Sequence, residues 1–152
     1  MAVREGGIAV VQFGVRCETT VKERGGPPSP DAVLVCGVDA GGIPGEWVEV
    51  TVATPGQATF LHFSSGRSGV EALMAGRELA CEVAIATGAR VFSVGCRRAG
   101  VQDGVTAYAW LLGEGLDLHT SCFIMDPAGN GLARAVAMAA RACGLPIPPP
   151  EI

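Results

Sequence analysis

The chain has 152 residues, a net charge of −4, and a composition that is 49% hydrophobic and 17% charged. That length suits one domain, 1–152, whose core is large enough to need neither a structural metal nor disulfide staples. The acidic balance gives no electrostatic footprint for nucleic acid, no basic run fits an acidic membrane surface, and no apolar run reaches the roughly 18 to 20 residues of a membrane span.

The six cysteines, Cys17, Cys36, Cys81, Cys96, Cys122 and Cys143, are widely spread, with no C-x-x-C pair and no histidine at zinc-ligand spacing. They read as buried reduced thiols, and neither a metal nor a cofactor is expected. Residues 1–7 lack the long apolar region of a signal peptide. Together these features predict a soluble cytoplasmic protein.

Residues 8–15 are β-branched and apolar without helix-capping signals, and predict a strand. The polar run through Thr20, Lys22 and Arg24 and the Gly/Pro-rich residues 25–30 read as a linker, so 1–30 form a divergent N-terminal segment. Residues 32–38 and 46–53 are strand candidates on either side of the turn-rich residues 39–45, which predicts an antiparallel hairpin. After Pro55 and Gly56, residues 58–62 predict a short buried strand leading into a Gly/Ser-rich loop, 63–69. From 70 to 87, Leu73, Leu79 and Val83 recur at helical spacing, and Gly88 is placed to end that helix.

Residues 90–95 predict the next strand, and 102–113 a helix with Val105, Tyr108 and Leu112 on one face and Trp110 and Leu111 beside it. The tail 146–150 is proline-rich and reads as extended. Strand and helix therefore alternate through the second half of the chain. That pattern argues an α/β fold in three layers, a mostly parallel sheet flanked by helices, with the antiparallel hairpin on its N-terminal side.

The most informative stretch is 121–132, where an apolar strand ends in a sharp turn and an Ala-rich helix follows to about residue 143, apolar on nearly all sides and hence expected to be buried. Strand–turn–helix is the geometry of a nucleophile elbow, in which a serine projects from a strained turn and backbone N–H groups stabilise an oxyanion. The turn position here holds Pro127. Proline fixes φ near −65° and carries no nucleophilic atom, so it meets neither requirement. It suits the first turn of a helix, and Asp126 before it is a good N-cap.

Residues 125–132 resemble, in register, the G-D-S-A-G-G-G-L segment of the hormone-sensitive-lipase-like esterases. Residues 40–48, 86–91 and 103–112 are similar to that family's early hairpin and following elements, in the family's own order, so the likeness spans about 32–146. It implies an α/β-hydrolase fold, without implying hydrolysis. Four departures bear on function. Pro127 stands where the family has its serine. The family's H-G-G-G oxyanion loop is here His62-Phe63-Ser64-Ser65-Gly66, with side chains where bare backbone should approach a carbonyl. Cys96-Arg97-Arg98-Ala99 passes almost directly to Gly100, without the proline-rich stretch that shapes the family's pocket. The sequence stops one helix after the elbow, before the triad's acid and histidine, so it is expected to be a truncated member from which no triad can be assembled.

These departures predict a non-hydrolytic relative, a pseudo-esterase acting through binding or assembly. The alternatives are residual ester hydrolysis, or a repurposed proton transfer, cyclisation or isomerisation in the remnant pocket. The resemblance implies that this pocket is formed by His62, Phe63, Ser64, Ser65, Gly66, Asp126 and Ala128 and takes a small apolar ligand. The weak catalytic candidates are His62, Asp126, Ser64 and Ser65, and His119 lies in an expected loop. An elbow strand left at the edge of an apolar sheet must be covered. Either the strand in 8–15 pads it, or a homodimer or a partner completing the sheet does.

Overall fold

The structure, a computed structural model, describes residues 2–5, 8–11, 33–50, 58–98, 100–125 and 131–148. Its strands are β1 (Ala2–Glu5), β2 (Ile8–Val11), β3 (Val33–Ala40), β4 (Ile43–Val50), β5 (Thr59–Gly66), β6 (Arg90–Arg97) and β7 (Ser121–Met125). Its helices are α1 (Gly69–Thr87), α2 (Val101–Gly113) and α3 (Leu132–Ala142). The strands form one sheet in the order β1-β2-β7-β5-β6-β4-β3.

β5 runs parallel to β6 and to β7, each reached by a helical crossover, while β3, β4 and β6 pair antiparallel in succession. The hairpin turns on two residues, Gly41 and Gly42, rather than on the seven residues 39–45 that sequence composition suggests. Their φ values of 68° and 97° are those of a type I′ turn, which only glycine adopts without strain, and the Gly42 N–H donates to Asp39 Oδ1 at 2.6 Å.

α1 covers one face of the sheet, α2 and α3 the other. Val83 of α1 packs with Val48, Phe60, Val91 and Ile124 of the sheet; Tyr108 of α2 and Val136 of α3 pack with Leu61, Phe63, Phe92, Val94 and Phe123. Because both faces are covered, the central strands alternate between two apolar layers and read as continuous apolar runs. Each such large side chain contributes about 1.5–3 kcal/mol of burial.

Helix limits follow the sequence signals. Ser68 caps α1, its Oγ accepting from the Glu71 N–H at 3.1 Å, and Gly88 at φ 73° ends it. α3 departs from expectation: it is amphipathic rather than buried all round. Leu132, Ala133, Val136 and Ala140 face inward while Met138 is 66% exposed. Alanine carries too little surface to demand burial on every side, so the few larger residues decide which face turns in.

Of the described cysteines, Cys81, Cys96 and Cys122 are buried thiols, but Cys36 and Cys143 are exposed, also as free thiols. Cys36 lies on the outermost strand and Cys143 caps the end of α3, positions with nothing packed above them. Cys17 and residues 12–15 of the first predicted strand lie outside the described residues. The part that is described, β2, pairs parallel with β7, so the elbow strand is interior to the sheet rather than its edge. Among the described residues no helix is long and apolar enough to cross a membrane.

Candidate functional site

Adjacent strands β5 and β7 are followed by helices on opposite faces, α1 and α3, which makes their carboxyl ends the topological switch point where open α/β sheets place ligands. Pairing of β5 with β7 ends at Leu61↔Phe123, whereas pairing with β6 continues to Gly66↔Arg97. β5 therefore continues past its described pairing with β7 on that side. The residues that follow β7, including Asp126, Pro127 and Ala128, lie outside the described residues.

Residues 63–66 correct a sequence expectation, since they form strand rather than loop. Their in-register partners on β6 are Val94 to Arg97, and this ladder takes the backbone groups on the β6 side. Composition missed it because glycine and serine are strand-poor by propensity, and tertiary pairing overrides propensity.

His62 points beneath α1. It is 2% exposed, and its Nδ1 lies 3.3 Å from the Oγ of Ser93, itself fully buried. Glu46, Ser93 and His62 are register neighbours across β4, β6 and β5, forming one polar row within an otherwise apolar layer. Glu46, also buried, is held by Arg77 of α1 in a bidentate pair, Nε to Oε2 at 2.9 Å and Nη2 to Oε1 at 2.8 Å. No periodicity marks this row, because its members are 16 to 47 residues apart and only the sheet register aligns them.

The helix approaches this row through a glycine. A Cβ on Gly76 would lie 2.0 Å from Ser64 Oγ and 2.8 Å from His62 Cε1. Ser64 is therefore half-buried under α1, Ser65 is exposed, and Gly66 sits against the Ala72 backbone. Phe63 turns to the opposite face, where its ring is 5.4 Å from that of Phe123. The structure thus divides the nominated residues: His62 and Ser64 lie under α1, and Phe63 in the core beneath α2 and α3. His119 is exposed, in a single 3-10 turn, Leu118–Thr120.

The short β6–α2 connection is closed by a second charged group that sequence reading did not single out. Asp103, in the first turn of α2, accepts from the Arg97 backbone N–H at 3.0 Å, from Nε at 2.8 Å and from Nη2 at 2.7 Å. The hydrogen bonds from the Arg97 side chain hold its carboxyl below the usual carboxylate range. Beside it, burial pushes the Cys96 thiol up to about 12, so that thiol is no nucleophile at neutral pH. The available signal was an arginine at a strand end six residues before an acid in a helix's first turn.

An open groove of about 550 Å³ lies between Leu73 of α1 and the β3–β4 hairpin at Val38, Pro44 and Glu46. It does not include the nominated residues of β5. Among the described residues no group of three or more His, Cys, Asp or Glu could hold a metal ion.

No protein-family model matches the sequence. An acetyl-hydrolase of Streptomyces hygroscopicus is 32% identical over 130 residues, covering 81% of this chain and 41% of that protein. Among solved structures, an esterase/lipase from an uncultured bacterium superposes with a TM-score of 0.64 at 29% identity, covering 91% of this chain and 50% of the other. An esterase of the bacterial hormone-sensitive lipase family gives 0.63 at 29%, covering 86% and 46%. A hormone-sensitive lipase from a metagenome library gives 0.62 at 29%, covering 80% and 43%. The chain thus spans about half the length of the relatives it matches.

Proposed function

Since the chain is of the hormone-sensitive-lipase-like esterase lineage and shares its α/β-hydrolase fold, we propose that it does not perform serine hydrolysis and acts through binding or assembly. The observation that carries this reading is Pro127 at the position of the nucleophile. Nucleophilic catalysis needs an activated oxygen or sulfur at the turn, and proline has neither.

The β5 strand supports the same reading. An oxyanion hole needs N–H groups turned toward the developing charge, worth about 2.7–4 kcal/mol each when lost. Residues 63–66 instead continue the ladder with β6, and Ser64 is wedged under Gly76. The general-base candidate, His62, faces a buried serine beneath a helix. A small apolar ligand at the carboxyl ends of the strands, or a second protein chain, is the partner this reading expects.

The test is turnover of short-chain p-nitrophenyl esters. The proposal predicts a rate equal to that of a Ser64→Ala/Ser65→Ala double variant and to buffer. Saturable hydrolysis lost in that variant would show that the serines of β5 had taken over the chemistry.

A further inference from the structure

We propose that two copies of this chain pair antiparallel through the outer edges of their β3 strands, with the two Cys36 residues opposite one another on the two-fold axis. Among the described residues β3 is the last strand of the sheet, and its eight residues pair with β4 from Val33↔Val50 to Ala40↔Ile43 without a bulge. Within the strand itself there is no lysine and no proline to blunt the edge. Leu34 is 56% exposed on it.

The hairpin fixes which backbone groups face outward. In a two-residue turn the closing pair, Ala40↔Ile43, exchanges both hydrogen bonds, so Ala40, Val38, Cys36 and Leu34 direct their N–H and C=O groups at β4. Val33, Val35, Gly37 and Asp39 therefore present theirs to the outside. Pro44 checks this parity. It lies opposite Asp39, where β4 needs no N–H directed at β3, and it would break the ladder at any position of the other parity.

These outward residues are self-complementary in one register. Antiparallel pairing about Cys36 sets Val35 against Gly37 of the second copy and Gly37 against its Val35, and at the margins Val33 against Asp39 and the reverse. Each outward group meets another outward group. A centre on Val35 or on Gly37 leaves an outward residue without a counterpart within β3. Val33 is already buried, so the marginal pairs are the weaker ones and the pairs beside the axis carry the contact.

Side chains agree with this register. Leu34 of one copy falls beside Val38 of the other, on the same face as Cys36, and the exposed leucine is covered. Asp39 is the only charge on the strand. Antiparallel pairing separates the two Asp39 residues by about six residues, roughly 20 Å, beyond the screening length at physiological salt. Parallel pairing would set them side by side. Cys36 becomes the central pair without hydrogen bonds, where opposed Cα atoms lie about 4.5 Å apart, within disulfide reach.

The experiment is sedimentation of the whole chain at about 100 µM, with oxidation of the thiols by diamide and peptide mapping. The expected result is a dimer of twice the 15.5 kDa chain mass, which oxidation traps as a Cys36–Cys36 disulfide. Leu34→Lys should raise the dimer dissociation constant at least tenfold and abolish the trap, with an unchanged far-ultraviolet spectrum because the side chain is exposed. A monomer at that concentration overturns the proposal, as does a dimer indifferent to Leu34→Lys or one trapped through a cysteine other than Cys36. Neither result bears on whether the chain hydrolyses esters.

Discussion

Asp103 shows how a single side chain can close a connection. It is nearly enclosed and satisfies both the end of β6 and the Arg97 guanidinium. Asp103→Asn should cost about 1–3 kcal/mol in urea unfolding, because it weakens charged hydrogen bonds around a buried group. The pH dependence has a definite sign. The folded-state pKa lies below the unfolded one, so the stabilisation is complete above the ordinary carboxylate range and is lost as pH falls from about 4 through the folded value. The variant should lose less stability than the parent over that window. Gly76 is the other residue whose size decides packing. Gly76→Ala improves helix propensity by about 1 kcal/mol, yet a Cβ 2.0 Å from Ser64 Oγ should make it a net loss of about 1–3 kcal/mol. Ser64→Gly in the same chain should recover part of that loss, and thermal unfolding of the two variants measures it.

Most elements were legible from sequence where an apolar period met a terminator. α1 is framed by Ser68 and Gly88, and the strand–turn–helix around 121–132 stands out by composition alone. What stayed hidden depends on partners distant in sequence. Residues 63–66 look like a loop and become strand because β6 offers eight matched residues. The Glu46–Ser93–His62 row exists only once three strands are in register. Hydrogen exchange separates loop from strand directly. Alternate amides between His62 and Gly66, those facing β6, should exchange orders of magnitude more slowly than exposed loop amides. Uniformly fast exchange across 63–66 would return the segment to a loop and reopen an oxyanion-binding conformation.

At the scale of the molecule, a sheet with the fold of its esterase relatives packs His62 and Phe63 into its two covered faces. His62 and Ser64 lie under α1, Phe63 fills the opposite core, and in the sequence Pro127 falls where the resembled motif has its serine. The fold was readable because burial patterns and turn chemistry agree on it. The candidate site was readable only in part, since a proline at the motif's serine position is visible in sequence while the direction of a histidine is not. The measurement that tests the loss of serine hydrolysis most directly is intact mass after incubation with a fluorophosphonate, which reacts covalently with activated serines. The account predicts an unmodified mass. A single stoichiometric adduct would contradict it, and the labelled peptide would identify the serine that took the place of the one at the elbow.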